Sequence, residues 1–427
     1  MAEFLVTTFE GGGNVPPCVG MIRRLVARGH AVRVLGDEVL RAEMEAAGAS
    51  FRPWTTAPNR SDRRPESDPM QDWMATEPGG GLLRLLDHIS IGPAAAYAAD
   101  TLAELRRAPA DALLCCDLLY GPPIGAEAAG VPFAMFGSNV SILPVEGIPP
   151  LGPGLLPPTT PEEHAMAAGV AAWFRDMLNE RLPVLNAARA THGLVPLAEA
   201  ADQMRRARMT VLATSPAFDF PATALPKGLR YVGPLLDAPD WAAAWASPWD
   251  AADARPLVLV ALSTTFQDQV GTIQRLLDAT ETLAVRAVVT LGPALDGVAL
   301  RVPANAHVVA SASHDALMRE ASLVVTHCGH GTVLRALAHH RPMLCLPMGR
   351  DQNDNAARVA ARGAGIRLAS DASVPALRDA IAVLLADPRY AAAAAALGTA
   401  IAAATREAAL VEALEELVTG PACRHAA

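Results

Sequence analysis

Twice in this chain an apolar run ends in a polar, glycine-bearing turn, and a helix-spaced segment begins at once. The first instance is "EFLVTTFEGGGNVPPCVGMIRRLVARG", opening at Glu3. The second is "SLVVTHCGHGTVLRALAHH", opening at Ser322. Continuously apolar strands joined through tight turns to amphipathic helices are buried on both faces. They therefore specify parallel sheets covered by helices, not a sandwich or a bundle. The alternation continues through "HAVRVLG", the helix "EVLRAEMEAAG", and the strands "ADALLCCDLL" and "VPFAMFGS". It stops at "YVGPLLDAPDWAAAWASPWDAADARP", which is rich in Pro, Asp and Trp and carries no strand signal. It then restarts with the strand "LVLVALS", the helix "VGTIQRLLDATETLA" and the strands "RAVVTLG" and "HVVAS". With 427 residues, 51% of them apolar, there is enough material for two such cores. The expected fold class is α/β, with two Rossmann-like doubly wound domains. The first helix is expected over Val19–Arg28 with Gly29 as its stop, and Val374–Thr419 is expected to be helical except near "ADPR".

The net charge is −9 and no Lys/Arg stripe forms, which argues against nucleic acid as a partner. An anionic ligand then needs a local site built from backbone N–H groups, His or hydroxyls. Six scattered cysteines lack metal-ligand spacing and read as reduced thiols. The start Met1-Ala2-Glu3 has no basic leader, and no apolar run is expected to span a bilayer, so the expected location is cytoplasmic.

The second turn carries the chemistry. A strand ends at Thr326, Gly329 and Gly331 form a tight turn, and a helix opens at Thr332. The first N–H groups of a helix are unpaired and face outward, so this junction is an anion site. His327 and the Thr332 hydroxyl add donors. Asp351, Gln352 and Asn355 follow the next strand on the same sheet edge, with partners suited to sugar hydroxyls.

The run "HCGHGT…RPMLCLPMGRDQNDNAARV…GAGIRL" resembles the donor-binding signature of family 1 inverting nucleotide-sugar glycosyltransferases of the GT-B type. The spacing of 24 residues from His327 to Asp351 agrees with that signature. "YVGPLL", "LVLVALSTTFQ", "ANAHVVASASHDALM" and "GGGNVPP" resemble other family segments, so the likeness covers the whole chain. It implies two domains facing a cleft: residues 1–236 for the acceptor, a linker at 237–256, residues 257–405 for the donor, and a helix and tail at 406–427 packing back on the first domain. It implies a UDP or dTDP sugar as co-substrate, no cofactor and no metal, since no Asp-x-Asp motif is present. It further implies His327, Gly329, Gly331 and Thr332 on the diphosphate, Ser263 and Thr264 closing over it, His314 beside the base, and Asp351 and Gln352 on the sugar. The Pro-rich loops 55–80 and 142–161 are expected to form the wall for a hydrophobic aglycone, and a homodimer is compatible with the sequence.

In the stretch "GNVPP", Asn14 stands where this family usually has a catalytic His, while Asp117, after the strand "ALLCC", stands where its partner Asp sits. An amide takes no proton at neutral pH. Three readings stay open. Asp117 is the base, directly or through water, with Asn14 orienting the acceptor. Or the acceptor is a phenol, amine or carbon that needs little help. Or the protein binds nucleotide sugar without transfer. Glu10, on the same turn, is a further candidate base. A dinucleotide turn is disfavoured, because the third glycine of Gly-x-Gly-x-x-Gly, counted from Gly11, is Pro16.

Overall fold

The computed structural model describes residues 1–77, 79–237, 243–295 and 297–419. The first sheet contains β1 (Glu3–Thr7), β2 (Ala31–Gly36), β3 (Ser50–Pro53), β4 (Ala112–Cys116), β5 (Phe133–Gly137), β6 (Met209–Leu212) and β7 (Leu229–Tyr231). Its order is β3-β2-β1-β4-β5-β6-β7, parallel throughout. The second contains β8 (Leu257–Ala261), β9 (Arg286–Thr290), β10 (Ala306–Val309), β11 (Ala321–Thr326), β12 (Met343–Cys345) and β13 (Gly365–Arg367). Its order is β10-β9-β8-β11-β12-β13, also parallel.

In each sheet the order reverses at one place, between β1 and β4 and between β8 and β11. Connections leave in opposite directions there and open a crevice at the carboxyl ends of the strands. Four segments singled out in the sequence follow these four strands: the glycine turn after β1, Asp117 after β4, Ser263–Thr264 after β8 and His327 after β11. The topology thus brings residues distant in sequence to two facing crevices.

Local differences from the sequence reading have simple causes. The first helix runs Val15–Ala27, starting four residues earlier than expected, because Pro16 and Pro17 occupy its first turn, where a missing N–H costs nothing. The expected helix after β2 is a 3₁₀ turn (Glu38–Leu40) followed by the short helix Arg41–Ala46. The alanine-rich end breaks at Asp387, within the expected "ADPR", and, unexpectedly, a second time between helices Pro388–Ala404 and Ala409–Thr419. Contrary to expectation, Pro388–Thr419 is long and apolar enough to cross a membrane by length and composition. The second break divides it, however, and a 17-residue helix reaches only about 25 Å against a hydrocarbon core of about 30 Å. Its two halves also serve different domains. Ala394, Leu397 and Ile401 enter the second core, whereas Leu410, Leu414 and Leu417 pack with Phe4, Met21 and Leu25 of the first. Glu415 then pairs with Arg28 and His30. The tail beyond Thr419, with Cys423, and part of the expected linker lie outside the described residues. The other five cysteines are buried and free.

Below the cleft the domains are pinned by a buried pair, Asp219 and Arg358, with N···O at 2.7 Å. Tyr231 donates to the other Asp219 oxygen at 2.7 Å, and Arg358 and Arg362 lie over the Phe220 ring. Gly152, from the second Pro-rich loop, donates its N–H to Asp354 at 2.8 Å.

Candidate active site

A cavity of about 920 Å³ fills the cleft. One end belongs to the second domain. Helix His330–Ala338 opens there, with Gly329 before its first turn, so its leading N–H groups at Gly331 and Thr332 face the space as an anion site. His327 stands at the exit of β11 and lines the same space. Gly329 is required beside it, since a Cβ there would lie 2.6 Å from His327 Nε2. Burial, and next the Arg350 guanidinium, push the His327 ring down to about 3, so it is neutral. Its Nδ1 is buried without a partner.

Ser263, Thr264 and Thr265 face this end from the loop after β8. Ser263 Oγ accepts the Thr265 N–H at 3.2 Å, and buried Gln269 donates to the carbonyls of Ser263 and Thr265, which holds the loop's shape. His314 contacts Thr290 Oγ1 through Nε2 at 3.1 Å and lines the cavity. Burial holds it down at about 4.

Asn355 knits the anion turn to the next loop. Its amide nitrogen donates to Cys328 O (3.0 Å) and Asp351 Oδ2 (2.6 Å), which leaves its oxygen facing His330 Nδ1 at 3.1 Å. That assignment puts the His330 proton on Nδ1 and leaves Nε2 as a bare acceptor, buried and unpartnered. Burial keeps His330 neutral, down at about 4. The sequence reading missed His330; its place between the two glycines was the only signal. Asp351, raised by burial, also receives Asn139 of the first domain at 3.1 Å once that amide is turned to satisfy both its contacts. Gln352 is buried and occupied internally, accepting Met348 N–H (2.7 Å) and donating to Gln267 (2.9 Å).

The other end belongs to the first domain. Met70, Leu82, Leu86, Ile142, Trp173 and Phe174 supply an apolar wall. They come from the two expected loops, from helices Gly80–Leu85 and Pro161–Asn179, and, for Leu86, from the π-helical turn Leu86–Ser90. The floor of this end is charged: Arg63 bridges Glu10 and Glu43 at 2.8 and 2.7 Å, and Arg60 faces Asp68 at 3.6 Å. Glu10, the further candidate base, is thus ion-paired and also accepts the Gly12 N–H at 2.8 Å.

Asn14 caps the glycine turn from within. Its nitrogen donates to Phe9 O (2.9 Å) and Thr8 Oγ1 (3.4 Å), and its oxygen accepts the Gly11 N–H (3.1 Å). Both amide hydrogens are used and one oxygen lone pair remains for a ligand. Asp117 does not line the cavity. It is 5% exposed, with Gly137 packed against its carboxylate. Burial, and then repulsion from Asp351, push it up to about 7. Among the described residues Asn14 and Asp117 share no hydrogen bond. A small void of about 10 Å³ is lined by Asn14, by Cys116 at the end of β4 and by Ser138 after β5.

The first domain also reaches the anion end. Gly12, with φ at +76°, approaches so closely that a Cβ would lie 2.7 Å from Thr265 Cγ2.

Two Rossmann-like domains closing on a cavity, with unpaired helix N–H groups at one end and an apolar wall at the other, define a GT-B architecture. Comparison with known proteins agrees. Residues 274–417 match the family described as erythromycin biosynthesis protein CIII-like, C-terminal domain. The chain is 29% identical over 398 residues, 91% of its length and 93% of the relative's, to 4'-demethylrebeccamycin synthase of Lentzea aerocolonigenes. Its fold is similar to the glycotransferase of kitacinnamycin, with TM-score 0.77, 21% identity and coverage of 98% and 99% of the two chains. It is similar to the glycosyltransferase VinC in complex with dTDP, with TM-score 0.68, 20% identity and coverage of 98% of both. The chain is a GT-B glycosyltransferase of the natural-product type.

Proposed function

We propose that the protein transfers a sugar, with inversion, from a UDP or dTDP donor to a hydrophobic small-molecule aglycone. The observation that carries this reading is the polarity of the single cleft. Helix N–H groups, neutral His327 and the Ser263–Thr265 loop converge at one end, and an apolar wall faces them across the gap. An in-line displacement needs this arrangement: the acceptor attacks the anomeric carbon from the wall side while the diphosphate departs into the donors opposite. Asp351 and Gln352 line the same cavity and are the residues proposed to meet the sugar. The VinC complex with dTDP supports a thymidine nucleotide as one of the two donor choices.

The acceptor atom is the finer question. Asn14 is consumed by its own turn, Glu10 is ion-paired, and Asp117 sits behind the wall. This favours an acceptor that ionises readily or attacks through nitrogen or carbon, oriented by the remaining lone pair of Asn14. Asp117 then keeps the position of a group that orients a base, without the base. The test is a panel of nucleotide sugars against phenols, indoles and aliphatic alcohols with purified protein, followed by product mass and linkage. Turnover with aliphatic alcohols as fast as with phenols or indoles would remove this reading.

Two expectations follow for the donor end. His327→Ala should weaken UDP or dTDP binding in calorimetry by roughly 1.5–3 kcal/mol, the scale of a lost hydrogen bond to a charged group. Unchanged affinity would misplace the diphosphate. Since N–H donors are proposed to receive the leaving group, turnover should also persist in EDTA. Loss on chelation with recovery in magnesium would show that a cation does that work.

A further inference from the structure

Arg350 sits immediately before Asp351 and belongs to no role assigned above. Its backbone has φ at +54°, a left-handed conformation that a non-glycine residue holds at some cost and that clusters at functional sites. Its side chain crosses the cleft. Nε and Nη2 donate to the two oxygens of Asp72 at 2.7 and 3.1 Å, and Nη1 donates to Thr265 Oγ1 at 2.9 Å. Asp72 lies in the first domain's loop, and the next residue, Trp73, packs edge-on against Phe266 of the second, with centroids 5.0 Å apart. The guanidinium thus lies over the Ser263–Thr265 loop. Its charge reaches both His327 and Asp351, the residues on either side of the junction between diphosphate and sugar. Of its five N–H groups three are taken, and Arg350 lines the cavity.

Resting on the donor reading above, we propose that Arg350 is a further donor-binding residue that supplies the cleft's cation to the β-phosphate, and that Asp72 is its counter-ion when no donor is present. A neutral His327 and helix N–H groups carry only partial charge toward a diphosphate. Arg350 adds a full charge with two free N–H groups at the terminal phosphate, where negative charge accumulates as the sugar leaves. The ion pair also explains how a permanent cation persists at a largely buried position in the cleft, since a buried unpaired charge is costly.

The test is titration of the full chain with UDP and dTDP against UMP and dTMP, which lack the β-phosphate. Arg350→Gln should weaken diphosphate binding about 10–100-fold, as expected for a lost charged hydrogen bond, and leave monophosphate binding unchanged. Arg350→Lys should recover part of the loss. Asp72→Asn should leave diphosphate affinity equal or higher, because it frees the guanidinium. Equal losses for mono- and diphosphates would overturn the proposal. So would Asp72→Asn weakening diphosphate binding as much as Arg350→Gln, which would make the pair a domain latch only. A wild-type protein that binds none of these nucleotides would defeat the donor reading itself, and this inference with it.

Discussion

Asn14→His is expected to raise turnover toward simple aliphatic alcohols by about 10²–10⁴-fold, the usual worth of a positioned general base. Alcohols depend most on deprotonation during attack, and the wild-type turn offers no free group to do it. Asn14 lines the cavity on one side and a small void on the other, next to Cys116 at the end of β4, which Asp117 follows, and Ser138 after β5. An imidazole at position 14 directed toward that void would approach the Cys116 strand end that Asp117 follows, and a buried carboxylate in hydrogen-bond reach orients a base and stabilises its protonated form. The gain should vanish in the double variant Asn14→His/Asp117→Asn. In the native background, Asp117→Asn should cost less than about tenfold, because a carboxylate outside the cavity wall does not reach the acceptor's proton. Assays of kcat/KM on an alcohol series and on the best wild-type acceptor decide this. A folded Asn14→His protein with unchanged alcohol turnover would rule out a dormant dyad. A native-background loss of 10² or more from Asp117→Asn would return the base role to Asp117.

Asp117→Asn should also stabilise the fold at pH 8, by roughly 2–4 kcal/mol relative to wild type. Burial pushes the Asp117 carboxyl up to about 7, well above its unfolded value. Between those two values the folded state therefore holds a proton that the unfolded state has released. Stability from this group falls as pH rises through that window, and the full penalty remains above it. Asparagine never ionises, so the variant's advantage should be largest above pH 7 and should shrink toward zero near pH 4. Three buried neutral histidines, His314, His327 and His330, act in the opposite sense as pH falls below their unfolded value. They are common to both proteins and cancel in the difference. Urea unfolding of the pair at several pH values measures it. A difference independent of pH would show that Asp117 titrates alike in the folded and unfolded chains, so that burial does not raise it.

The sequence by itself determined the two-domain α/β plan, the parallel sheets and the strand-turn-helix junction proposed as the donor end. The reason is that these features are local. A buried strand, a glycine turn and a helix start occur within a dozen residues, so the unpaired helix N–H groups at Gly329–Thr332 are written contiguously. The Asp351–Asn355 group is fixed by the next strand and turn. The earlier start of the first helix was also a local matter, decided by prolines that its first turn accepts. What only the tertiary structure decided lies where segments far apart in the chain meet. No local pattern shows that Asn14 spends its amide on Phe9, Thr8 and Gly11, or that Asp117 lies behind the wall against Gly137. Arg350 meeting Asp72 spans 278 positions, and its role depends on which oxygen-bearing loop the facing domain presents. Burial, which sets the charge of Asp117, His327 and His330, is likewise a property of the assembled cleft: it comes from water excluded by both domains together, and no single segment of the chain encodes it.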